Sequence, residues 1–191
     1  MYPGSFNPPT IAHVAIAAAA REQRDLDRVV WVLSRSPINK EHIDRPLFEH
    51  RVEVLQAEAA HHRWLAVEIT EARLLVDIAR GYDVVIMGAD KWAEVNDPAY
   101  YDHDPAARDA AVAALPALAI APRPPFLVPP EHSLIVDAAH VLVSSSDARA
   151  GSTQMMAPAA RAFDGRTGAW SDPERYERWL HDGGSDRGIK G

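Results

Sequence analysis

The chain has 191 residues, 47% of them hydrophobic, no Cys and a formal net charge of -7. That apolar share fills one core and makes a single domain the expectation, while the missing cysteines exclude a disulfide framework and thiolate metal sites, suit a reducing cytoplasm and leave only oxygen-bound metal. The acidic balance argues against a broad nucleic-acid surface, and without a leader or an apolar run of ~20 residues no membrane span is expected.

Residues 4–13, GSFNPPTIAH, place a proline-stiffened turn directly before a helix whose first turn carries Thr10 and His13. Residues three apart share a helix face, and a helix N-terminus offers unpaired N–H groups and a positive dipole end, which together suit a polyphosphate. The same residue types also make an ordinary turn and N-cap. Beyond this point apolar runs alternate with helical patterns. Residues 28–34 (RVVWVLS), 64–69, 83–87 (DVVIM), 117–121 and 140–143 (HVLV) read as strands; 47–61, 71–80 and 106–115 read as helices. This βαβα order predicts a parallel sheet with crossover helices, whose ligands bind beyond the carboxyl ends of the strands.

Loop segments carry the remaining candidates. Lys40 follows the strand over 28–34 in SPINK, as a phosphate contact or a solvated lysine. Residues 87–92, MGADKW, follow a buried strand, so Gly88 lets the backbone approach a nucleotide and Asp90 accepts from ribose hydroxyls. Trp92 either stacks on a ring or packs into the core. In 96–105 (NDPAYYDHDP), Asp97, Asp102, His103 and Asp104 lie close in sequence, but no helical or hairpin spacing fixes them as ligands, and the stretch reads as a solvated loop or a lid. Residues 143–149, VSSSDAR, set three hydroxyls before Asp147 and Arg149, as a Ser-rich cap or as a phosphate site with Arg149 as its fork. Finally 172–181 reads as a helix docked through Glu174, Tyr176, Trp179 and Leu180, with a mobile tail over 183–191.

GSFNPPTIAH resembles the (H/T)xGH signature of the nucleotidyltransferase superfamily, and VSSSDAR, more than a hundred residues later, resembles its ISSTxxR signature. Two departures are Ala12, where the pattern has Gly, and Ser146, where it has Thr. FNPPT and GAD look most like the nicotinate and nicotinamide mononucleotide adenylyltransferases. Residues 45–52 (RPLFEHRV) resemble a segment found in several adenylyltransferases, the phosphopantetheine enzyme included, and support the superfamily but not a substrate; residues 74–79 (LLVDIA) resemble the phosphopantetheine branch, so that acceptor stays open, as does a noncatalytic nucleotide-binding relative. The resemblance implies a Rossmann-like, doubly wound parallel α/β sheet over 1–150, with a C-terminal helical part over 151–182 of the same domain. In this superfamily a central strand precedes the first signature. Only Met1, Tyr2 and Pro3 do so here, and the expectation is that the strand starts upstream of them.

The implied activity is transfer of AMP from ATP to a mononucleotide phosphate with release of pyrophosphate, in NAD biosynthesis. His13, Thr10 and Arg149 are the implied catalytic residues. ATP falls to Gly4, Ser5, Phe6, Gly88, Asp90, Ser144, Ser145 and Ser146, and the mononucleotide to Asn7, Lys40 and Trp92. Mg²⁺ is implied on the ATP phosphates, without protein ligands. The expected partners are small molecules, with no nucleic acid or membrane; a homo-oligomer is left open.

Overall fold

A computed structural model describes residues 1–35 and 45–183; residues 36–44, which include Lys40, and 184–191 lie outside the described residues. Strand β1 (Tyr2–Pro3) pairs in parallel with β2 (Val29–Ser34), and β2 with β3 (Leu65–Thr70). A second parallel pair joins β4 (Val84–Gly88) to β5 (Ala117–Ala121). Met1 links the two halves, because its nitrogen donates to Val84 O at 2.6 Å and its carbonyl accepts from Ile86 N at 2.8 Å. The spatial order is therefore β3-β2-β1-β4-β5. The chain runs outward one way from β1 and then the other way from β4, which is the doubly wound Rossmann-like arrangement, with its switch point between β1 and β4.

The central slot is thus held by residues 1–3, where an upstream segment was expected. These three residues satisfy the backbone groups of β2 and β4 at the level of Trp31, Val32, Val84 and Ile86, groups that are costly to bury unpaired.

Alternation along β2 divides the core. Val29, Trp31 and Leu33 face one layer, Val30 and Val32 the other. Helices α1 (Ile11–Gln23) and α2 (Phe48–Ala59) cover the first face through Ala17, Ala20, Val52, Leu55 and Ala59. Alanines along α1 let that helix approach the sheet closely. The second face is covered by α3 (Leu75–Ile78) and α4 (Ala89–Asn96), with Ala79 and Ala89 buried there. A one-turn 3₁₀ helix (Pro98–Tyr101) and α5 (Pro105–Ala113) lead to β5.

Three expectations are corrected here. The strand expected over 140–143 is instead the turn of helix α6 (Ala138–Val141), followed by Leu142, 72% exposed. Asp137 caps it by accepting from Ala139 N at 2.8 Å. The sheet edge beside β5 is taken by residues 132–134: Ile120 N donates to His132 O and Leu134 N to Ile120 O at 2.7 and 2.9 Å. The helix expected over 71–80 shrinks to α3, because Ser34 Oγ donates to Ala72 O and holds the preceding residues against the end of β2. Glu174 does not dock; its side chain is 87% exposed.

After α7 (Ser145–Arg149) and a 3₁₀ turn (Thr153–Met155), α8 (Pro158–Thr167) and α9 (Pro173–His181) pack on α2. They build a third cluster from Val54, Met156, Phe163, Trp170 and Tyr176. Buried Glu58 of α2 accepts from Ala159 N at 2.8 Å, supplying the cap that α8 lacks locally. Gly168 ends α8 at φ +75°, where a Cβ would stand 2.7 Å from Asp172 O; only glycine fits that turn.

Candidate active site

The strand ends at the switch point open into a cleft of about 450 Å³. Gly4, Ser5, Phe6, Thr10 and His13 line it after β1, Gly88 and Asp90 after β4, and Ser144 and Ser145 at the start of α7. Both signatures therefore meet in one site, as in an open α/β sheet.

Thr10 and His13 are locked to each other. Thr10 is the N-cap of α1 and His13 its third residue. His13 Nδ1 accepts the Thr10 backbone N–H at 2.9 Å and lies 2.7 Å from Thr10 Oγ1. This is a capping box with His in the place of the usual Glu or Gln. A backbone N–H only donates, so Nδ1 is the acceptor and the proton of the neutral ring sits on Nε2. Tyr2 and Phe6 flank the imidazole, with centroids at 5.9 and 5.1 Å. Sequence spacing thus becomes a fixed ring with a defined donor.

Glycine at β4's end leaves room for the Asp90 side chain. A Cβ on Gly88 would stand 2.4 Å from Asp90 Oδ1, so any side chain there displaces the Asp90 carboxylate. Ala12, the departure from the pattern, is buried and borders the cleft.

Four cations border the cleft that the sequence reading did not single out: Arg51, Arg73, Lys91 and Arg123. Arg123 Nε lies 3.6 Å from Asp90 Oδ2, and Lys91 Nζ donates to Glu94 Oε2 at 2.6 Å. Arg51 differs from both. It is 7% exposed, donates to Ser5 O at 3.3 Å, lies 5.4 Å from the Phe48 ring, and among the described residues leaves Nε without a hydrogen-bond partner. Burial pulls its pKa down, an effect Glu49 partly opposes. A buried cation bordering a cleft favours an anion there, because a second charge offsets the lost hydration. Its signal was present in the sequence: Arg51 falls four residues before Leu55, on the apolar face of α2.

Other expected residues sit elsewhere. Trp92 packs against the second core layer with its ring centroid 6.3 Å from that of His132, and it is not among the cleft residues. Two positions after Asp90, it falls on a different helix face. The aromatic side chains bordering the cleft near α4 are Tyr100 and Tyr101. Asn7 lies behind the loop, with its side-chain oxygen accepting from Trp170 Nε1 at 2.6 Å. Arg149 donates to Asn7 O and, at 3.2 Å, to Ser146 Oγ; its exposed guanidinium joins the two signatures. Lys40 lies outside the described residues.

Residues 1–151 match the cytidylyltransferase-like family. The chain belongs to that family. Among curated proteins it is 36% identical over 52 residues to a probable nicotinate-nucleotide adenylyltransferase of Salinibacter ruber, and 32% identical over 73 residues to one of Gloeobacter violaceus. These alignments cover 27% and 38% of this chain, and 27% and 35% of the relatives' lengths. A solved structure, Plasmodium falciparum nicotinic acid mononucleotide adenylyltransferase complexed with NaAD, superposes with TM-score 0.62 over 91% of this chain and 97% of that one. At 13% identity this similarity concerns the fold. The cytidylyltransferase-like match ends two residues after Arg149, so it spans both signatures and stops before α8.

Proposed function

We propose that this cytidylyltransferase-like protein is an adenylyltransferase of NAD biosynthesis in the cytoplasm, joining AMP from ATP to the 5′-phosphate of nicotinate or nicotinamide mononucleotide. The observation that carries the reading is the Thr10–His13 lock at the N-terminus of a 13-residue helix, sharing one cleft with Ser144 and Ser145. The names of the curated relatives support the pyridine acceptor.

In this mechanism the mononucleotide phosphate oxygen attacks the α-phosphorus of ATP in line. The new P–O bond forms as the bond to the β-phosphate bridging oxygen breaks, and pyrophosphate leaves with that electron pair. No covalent intermediate on the protein is needed, and positioning with charge stabilisation accounts for the rate. His13 donates to the α and β phosphates, and the α1 N-terminus adds its dipole. Ser145, Ser146 and the exposed guanidinium of Arg149 would hold the β and γ phosphates, Asp90 the ribose hydroxyls, and buried Arg51 an acceptor-side anion.

Among the described residues no three His, Asp or Glu side chains group to hold a metal ion. The cleft carboxylates Asp90 and Glu94 already face Arg123 and Lys91. Mg²⁺ would enter on the triphosphate of ATP and would supply charge neutralisation there. Among the described residues no helix is long and apolar enough to cross a membrane.

The deciding experiment follows pyrophosphate release from Mg-ATP with nicotinate mononucleotide, nicotinamide mononucleotide and 4′-phosphopantetheine offered separately. Release with a pyridine mononucleotide is the expected result. Release with phosphopantetheine alone, or ATP binding with no release from any acceptor, overturns the reading.

A further inference from the structure

The loop that carries the first signature is held from behind by the other end of the chain. Successive carbonyls each take a distant donor: Arg149 Nη1 on Asn7 O, Ser145 Oγ on Pro8 O at 2.8 Å, and Ala157 N on Pro9 O at 2.9 Å. Pro8 and Pro9 have no N–H, so the loop cannot close a ladder of its own. Phe6, just before Asn7, sits at φ +44°, left-handed backbone that a non-glycine residue holds only when its surroundings impose it.

The side chain of Asn7 is fixed by one residue alone among the described contacts, Trp170, whose indole N–H donates to Asn7 Oδ1 at 2.6 Å across 163 residues of sequence. Trp170 is itself rigidly set. It is 5% exposed and meets the Phe163 ring edge-on at 6.0 Å. Its backbone N–H donates to Asp164 Oδ1 at 2.7 Å, and Asp164, 4% exposed, also accepts from Ser171 N at 3.0 Å and Ser171 Oγ at 2.6 Å. A chain of contacts, anchored on buried Asp164 and Trp170, thus runs from α8 to the loop, ending three residues before the N-cap Thr10.

We propose that Trp170 is a positioning residue of the nucleotide site, acting through Asn7 to hold residues 6–10 in the conformation that presents Thr10 and His13. The proposal rests on the reading of the cleft as a nucleotide site. It makes the α8–α9 segment, which lies beyond the family match, a working part of that site.

The test pairs Trp170→Phe, which removes the N–H donor, with Phe163→Leu, which loosens the same cluster without touching the loop. Both should lower the melting temperature. Only Trp170→Phe should raise the KM for Mg-ATP, about tenfold for one lost hydrogen bond to the loop, and speed amide hydrogen exchange at Phe6, Asn7 and Thr10 by at least about tenfold. Asn7→Asp, which keeps the oxygen acceptor, should retain slow exchange, and Asn7→Leu should lose it. Equal KM and equal loop exchange in Trp170→Phe and Phe163→Leu overturn the proposal. A parent protein with no turnover and no calorimetric ATP binding overturns the nucleotide reading instead, and loop exchange reports the Trp170 contact independently of that result.

Discussion

The two walls of the cleft are built differently. On the side of the first signature, residues 7–10 are tied to residues 145–170, so the loop conformation is fixed by partners from the opposite end of the chain. Across the cleft, Tyr100 and Tyr101 belong to a short 3₁₀ helix held by neighbours: Ala99 N donates to Asp97 Oδ1, Tyr101 Oη to Val95 O, and Arg108 Nη1 to Asn96 O. The first wall is preorganised by long-range contacts, which suits binding and charge stabilisation that must not rearrange during reaction. The second is local, so its shape can change without disturbing the sheet. We infer that the fixed wall holds the ATP phosphates and that Tyr100 and Tyr101 on the local wall contribute to acceptor choice.

The strongest way to break this comparison is His13→Ala. Turnover should fall roughly 10²–10³-fold with every acceptor, as expected for one lost transition-state donor. The Thr10 N–H also loses its cap, so stability should drop by ~1 kcal/mol. Turnover within a factor of two of the parent removes His13 from the mechanism. Gly88→Ala comes next, since its methyl displaces the Asp90 carboxylate. The KM for ATP should rise on the order of tenfold, from the loss of a hydrogen bond to a charged group, with acceptor KM little changed. An unchanged ATP KM would move the ribose contact away from Asp90. Tyr100→Ala sharpens the other side: acceptor KM should rise ~3–10-fold, the value of one aromatic contact, with ATP KM constant. Equal effects on both substrates would mean that the walls do not divide the labour.

Much of the fixed wall could be read from sequence because its key pair is local. Thr10 and His13 are three residues apart at a helix start, a spacing that defines geometry without knowledge of the rest. Strands β2, β4 and β5 were legible as buried apolar runs. What holds the loop was not, since the bond between Trp170 and Asn7 spans 163 positions and leaves no periodic trace. Residues 140–143 failed for a related reason: HVLV fits a strand by composition, but the edge beside β5 is already filled by 132–134, and Asp137 caps a helical turn there. Arg51 lies on the apolar face of α2, four residues before Leu55, but only the packing of α2 puts it at 7% exposure beside the cleft. Tyr100 and Tyr101 were legible only as part of a polar, turn-rich stretch read as a solvated loop or a lid.

The smallest effect in the comparison is the most selective. Tyr101 donates its hydroxyl to Val95 O at 3.0 Å, and burial raises its pKa, so the phenol stays protonated and keeps donating throughout the neutral range. Tyr101→Phe removes that bond and leaves the ring. The loss should be ~1 kcal/mol, about 2–4 °C in melting temperature for a chain of this size. Because the contact closes a loop of only a few residues, the first wall should not register it: turnover and ATP KM stay at parental values, while acceptor KM shifts by ~2–5-fold as the 3₁₀ helix loosens. A change in ATP KM of the same size would show that the local wall is coupled through the sheet to the fixed one, and the division of the cleft into two independent halves would fail.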